Sequence, residues 1–137
     1  MNREIIFRGK RLDNNEWLYG SHFTDSGEDY IIPQNLFGIN DYEEYQIDQN
    51  TIGQYTGMKD KNGKKVFEGD IVHVCDDDGI DIGVVKYNED FGKYIVVYSQ
   101  VSGNWFDFEG TDGEFLAIFC SEVIGNIYDN PELLSTK

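Results

Sequence analysis

Fifteen glycines and only two prolines punctuate this 137-residue chain, and the apolar runs between them are short and of mixed period. Glycine supplies the positive φ that tight turns need, so the profile predicts a β-rich chain of short strands joined by tight turns. Nine Phe, nine Tyr and two Trp supply enough large rings for a packed core. That core is expected despite a formal net charge of −15, which on its own resembles the composition of a disordered acidic tail.

The runs can be placed in order. Ile5-Ile6-Phe7-Arg8 and Glu16-Trp17-Leu18-Tyr19-Gly20 are predicted strands of a hairpin that turns at Asp13-Asn14-Asn15. Glu28-Asp29-Tyr30-Ile31-Ile32 is a third strand. The stretch 33–50 is polar and acidic, with a short helical turn expected near Asp48-Gln49-Asn50. In the C-terminal half, strands are predicted over 71–75, 82–87, 93–98, 105–108, 115–119 and 124–128. In the first of these, period two puts Ile71, His73 and Cys75 on one face and Val72 and Val74 on the other. Gly69-Asp-Ile-Val72, a turn, then Gly83-Val-Val-Lys-Tyr87 is a pattern found in SH3-like barrels, where a strand pairs with a bent, glycine-containing neighbour. Asn130-Pro131 supplies an N-cap and a proline at the first helical position, predicting a short terminal helix. The expected fold is mainly β, all-β or α+β. It comprises a small antiparallel N-terminal subdomain over 1–58 and an SH3-like barrel half over 59–137, sharing one core.

Charge is unevenly laid out. Arg3, Arg8, Lys10 and Arg11 make residues 1–11 a basic island of +3, and Lys59, Lys61, Lys64 and Lys65 make 59–65 another. Residues 12–58 carry −9 and residues 66–137 carry −12. Averaged over a surface, carboxylates at this density lie farther apart than the Debye length of about 8 Å, so the net charge alone implies solubility. Nucleic-acid binding through phosphates requires a basic footprint, which the two islands form only if the fold joins them.

Cys75 and Cys120 both end strand-like runs, where cysteine behaves as a small buried hydrophobe. Two cysteines make no disulfide framework, and a reducing cytoplasm fits. The chain opens without a signal-peptide apolar region and contains no run of the roughly 18 residues needed to span a bilayer. His22 and His73 are isolated, so no zinc signature exists. In calcium-loop register, Asp60-Lys-Asn-Gly63 and Asp76-Asp-Asp-Gly79 lack both the first carboxylate and the bidentate glutamate. Both are read as type I′ hairpin turns. Nucleophile-elbow, P-loop, zincin and dinucleotide fingerprints do not occur. The expectation is therefore no catalytic residue, no cofactor and no metal.

Phe7-Arg8-Gly9-Lys10, Trp17-Leu18-Tyr19-Gly20, Ile52-Gly53-Gln54-Tyr55-Thr56-Gly57, Asp60-Lys61-Asn62-Gly63, Phe67-Glu68-Gly69-Asp70-Ile71-Val72 and the closing string Ile124–Leu134 together resemble the YopX family of bacteriophages, prophages and Gram-positive bacteria. The resemblance spans residues 3 to 134, while 33–50 and 99–114 carry no matching string. The resemblance implies a phage or prophage protein of the host bacterial cytoplasm, mostly β, with an SH3-like C-terminal half. It carries over no activity and no catalytic residue.

Three classes of function remain to be weighed. The favoured one is a non-catalytic binding or accessory module acting on a host or phage protein. Its aromatic groove would draw on Trp17, Tyr19, Tyr55, Tyr94 and Trp105. The second is nucleic-acid association. In one form Arg8 and Lys10 join Lys61 and Lys64 in a phosphate-facing patch; in the other Asp41, Glu43, Glu44 and Asp48 imitate phosphates. The third, an enzyme, would have to rest on carboxylates. A homo-oligomer is expected, since small β-rich chains often bury edge strands in symmetric assemblies.

Overall fold

The computed structural model describes residues 4–33, 42–76, 79–89, 92–97, 105–106 and 122–134. The chain divides between Tyr55 and Thr56 into two compact units.

The first unit is an antiparallel sheet of β1 (Phe7–Lys10), β2 (Trp17–Asp25) and β3 (Glu28–Pro33), with β4 (Gly53–Lys59) on the far side of β1. The β1–β2 turn uses Asn15 at φ 62°, and the Arg11 N–H closes it onto the Glu16 carbonyl at 2.9 Å. The β2–β3 turn is two residues long, Ser26 at φ 56° and Gly27 at φ 83°, the type I′ geometry that matches strand twist. The segment 46–48 then ties the end of β1 to the start of β3. Gln46 bridges Tyr30 and Ile47 bridges Arg11. The Asp48 N–H donates to the Lys10 carbonyl at 2.8 Å. Ile47 is thereby pressed onto bare backbone: a Cβ at Gly9 would lie 2.6 Å from its Cδ1. Ile6, Ile31, Ile47 and Tyr55 are buried here. The expected helical turn forms at Gln49–Thr51, where the Asp48 side chain accepts the Asn50 N–H at 3.0 Å.

On the Gly9 side of this sheet His22, Thr24 and Asp29 form a small polar network. His22 Nε2 is 2.8 Å and Thr24 Oγ1 3.0 Å from Asp29 Oδ1. The His22 hydrogen bond holds the Asp29 carboxyl below the ordinary carboxylate range. Thr24 assists, and desolvation opposes them. A depressed folded-state value means the network's stabilisation is full above the unfolded value near 3.9 and is lost as pH falls through the folded value. Asp29→Asn is therefore expected to destabilise the chain at pH 6. The difference from wild type should shrink steadily below about pH 4 in denaturant titrations. A constant difference across that range would contradict this assignment.

In the second unit, β5 (Lys65–Phe67) lies beside the later part of β4. An antiparallel sheet follows in the order β10-β6-β7-β8-β9. Its strands are β6 (Asp70–Asp76), β7 (Gly79–Asn88), β8 (Lys93–Val97), β9 (Trp105–Phe106) and β10 (Glu122–Asn126). Val66, Val72, Val85, Tyr94 and Val96 form the core, with Met58 and Val123 packed against it. The Phe67–Asp70 turn is held from within: Asp70, itself buried, accepts the Phe67 N–H at 2.8 Å, and Gly69 sits at φ 92°. Gly69 also donates to the Val85 carbonyl and accepts from the Ile127 N–H, joining β7 to the segment after β10.

Several expectations are corrected. Among the described residues the C-terminal sheet has β10 and β9 as its edges and no closure, so the expected SH3-like barrel is not confirmed. The terminal helix is a single 3-10 turn at Pro131–Leu134. Asn130 precedes that turn, its carbonyl accepting the Leu133 N–H at 3.0 Å, while its Oδ1 accepts the Asn126 N–H at 3.2 Å. The Asp60–Gly63 turn is not type I′. Only Gly63 has positive φ, and its N–H donates to the Asp60 carbonyl at 2.9 Å, giving a type I turn with a glycine bulge. Ile71 and Val72 are both fully buried, so the start of β6 has no solvent face. The predicted strand 115–119, Cys120, the Cys75 side chain and residues 77–78 lie outside the described residues. Among the described residues no helix is long and apolar enough to cross a membrane.

Candidate binding surface

Pairing of β1 with β2 sets Arg8 opposite Tyr19 and Lys10 opposite Trp17. Side chains alternate across a strand, so these four share one face of the hairpin. The Arg8 guanidinium carbon lies 4.7 Å from the centre of the Trp17 ring, and Lys10 Nζ lies 5.6 Å from it. Each such contact contributes about 0.5–1 kcal/mol when exposed and about 2 kcal/mol when desolvated. Arg8, only 4% exposed, belongs nearer the upper figure. The indole is thus fixed by two cations, and Tyr19 stands beside it 46% exposed.

The end of β1 is anchored. The Lys10 N–H donates to Thr51 Oγ1 at 2.9 Å, and that hydroxyl donates to the Asp48 carbonyl at 2.6 Å. Arg11 makes a two-pronged pair with Asp13, at 2.9 Å from Nε and 2.7 Å from Nη2. That pair lowers the Asp13 carboxyl and raises Arg11. The first basic island therefore does not present four outward cations. Arg8 is buried, Lys10 lies on Trp17, Arg11 is neutralised by Asp13, and Arg3 is outside the described residues. The second island belongs to the other unit. There Lys61 and Lys64 are exposed on the β4–β5 turn, together with Lys59.

The remaining groove residues separate. Tyr55 and Tyr94 are buried and do not line an exposed groove. Tyr94 packs in the second unit's core with Tyr87 edge-on to it at 5.1 Å. A ring on a strand of an alternating chain fills whichever face the sheet covers, and the sequence does not mark that face. Trp105 pairs through its backbone with Val97 in β9; its side chain is outside the described residues. Of the proposed phosphate-imitating carboxylates, Glu43 and Glu44 are exposed on a 3-10 turn, Asp48 caps the next turn, and Asp41 is not described.

Sequence reasoning passed over three exposed apolar side chains, Ile5, Leu12 and Tyr87. It also passed over a cluster at the β2–β3 end of the first unit. There Phe23 stacks on Tyr30 at 5.1 Å, and Tyr42 meets both edge-on. Tyr42 donates its hydroxyl hydrogen to Asp25. The signal was present: Phe23 and Tyr30 flank the two-residue turn at equal distance, which makes them cross-strand partners. Among the described residues no group of three or more His, Cys, Asp or Glu side chains is placed to hold a metal ion.

Residues 6–135 match the family model for the YopX protein. The chain belongs to the YopX family. Its similarity to solved structures includes the crystal structure of protein EF1440 from Enterococcus faecalis. The two are 22% identical, over 98% of this YopX-family chain and 100% of that one, with a TM-score of 0.52. At that identity the likeness speaks for the fold. No curated protein matches the chain.

Proposed function

We propose that this YopX-family chain is a non-catalytic binding or accessory module of phage or prophage origin. It works in the host bacterial cytoplasm on a host or phage protein. The observation that carries the reading is the β1–β2 face. There both Arg8 and Lys10 pack on the Trp17 ring, and Tyr19 remains 46% exposed beside it. Rings fixed before contact lose little conformational entropy on binding, and Trp, Tyr and Arg are the residue types that dominate interface energetics. A strand-borne platform is also stiffer than a loop.

Affinity capture from an infected host should retain one reproducible protein on the wild-type chain. Tyr19→Ala should lose it while melting within about 2 °C of wild type, since much of that ring faces solvent. An interface anchor truncated to alanine weakens binding by about 2 kcal/mol or more, roughly thirtyfold. Retention of the same protein by Tyr19→Ala, or no reproducible partner, would sink this reading.

A further inference from the structure

We infer that the β4–β5 turn alone, without the first basic island that the sequence reading required beside it, is an anion-binding element whose ligand is the phosphate backbone of single-stranded nucleic acid. Residues 59–65 carry four lysines and one carboxylate, Asp60. A carboxylate at that position would ordinarily neutralise its neighbours. Here it is 3% exposed and fully spent on backbone. Oδ1 accepts the N–H groups of Asn62 and Lys64, both at 2.9 Å, and Oδ2 accepts the Val123 N–H at 2.9 Å. The turn is thereby fixed from inside. The ammonium groups of Lys59, Lys61 and Lys64 are left outside, exposed and, among the described residues, without a hydrogen-bond or ion-pair partner.

The chemistry of this element favours nucleic acid over an acidic protein surface. The span from Lys59 to Lys65 holds no aromatic residue and no arginine. Protein interfaces draw their energy from desolvated aromatic and arginine anchors, and lysine is depleted there. Phosphate binding needs only point charges that release condensed counterions. The rest of the chain is strongly acidic, and its repulsion is screened beyond about 8 Å. A flexible single strand can touch the turn and bend away. A rigid duplex presents its phosphates at fixed spacing, so a short turn reaches few of them.

Fluorescence anisotropy with labelled oligothymidylate tests this. In about 50 mM salt the full chain should bind, and log K should fall with log salt at a slope of about −2, the value for three phosphates neutralised on a single strand. The double variant Lys61→Ala/Lys64→Ala should reduce the slope to about −0.7. Lys86→Ala removes another exposed lysine of the same unit and should leave the slope unchanged. A mixed-sequence duplex should bind more weakly than oligothymidylate. Four results would each overturn the inference. These are no binding at tens of micromolar protein in about 50 mM salt, a Lys86→Ala loss equal to that of the double variant, a duplex bound as tightly as the single strand, and displacement of oligothymidylate by polyaspartate at equal charge. Both lysines are on an exposed turn, and a thermal melt of each variant separates loss of binding from loss of fold.

Discussion

Gly20→Ala is expected to lower the melting temperature by about 10 °C or more, a loss of about 3 kcal/mol. A Cβ at this position would lie 2.0 Å from the Ile32 carbonyl oxygen, 2.8 Å from its carbon and 3.0 Å from Pro33 Cα. All three atoms are backbone, so no rotamer change relieves the clash and β3 must move off β2. Gly27→Ala is the matched comparison. Gly27 sits at φ 83° with nothing within 4 Å of where an alanine methyl group would stand, so its cost is conformational alone, about 1–2 kcal/mol. Thermal melts of the two variants side by side should rank Gly20→Ala clearly below Gly27→Ala. The reverse order would mean that β3 does not approach β2 this closely.

Asp60→Ala should cost about 3–5 kcal/mol, because it strands three backbone N–H groups that shared one buried carboxylate. Asp60→Asn divides that loss. Its remaining oxygen can still serve Asn62 and Lys64, while its NH2 group would face the Val123 N–H, donor against donor. Amide hydrogen exchange reads the two halves separately. In Asp60→Asn the Val123 amide should lose protection and the Asn62 and Lys64 amides should keep theirs. In Asp60→Ala all three should exchange fast. Unchanged protection at Val123 in the asparagine variant would remove Asp60 as the link between the turn and β10.

Both positions also lie where local sequence signals stop. Asp60-Lys-Asn-Gly63 reads as a turn because aspartate, asparagine and glycine favour turns locally, and a turn is there. The same letters do not say that the carboxylate points inwards, since its third partner, Val123, is distant in sequence. Gly20 reads as one more glycine in a strand. What it accommodates is the backbone of another strand.

The cations behave likewise. The sequence shows Arg8 and Lys10 two residues apart and Trp17 and Tyr19 two residues apart, so a shared face follows once the strands pair. It does not show that Arg8 is buried on Trp17 or that Arg11 is taken by Asp13. Two islands of +3 look equal in the sequence. The first is largely absorbed by a ring and a carboxylate, whereas the second is exposed because its own carboxylate has been drawn into the fold.

By itself, then, the sequence determined a mainly β chain, the YopX family, most turn positions and an acidic composition with two basic interruptions. These rest on local backbone preference, strand periodicity and ordered motifs, all of which act over a few residues. Only the tertiary structure decided that Tyr55 and Tyr94 are interior, that the C-terminal sheet as described is open, and which lysines face water. Burial and charge neutralisation are properties of whatever packs against a side chain, and in this chain those neighbours come from other strands.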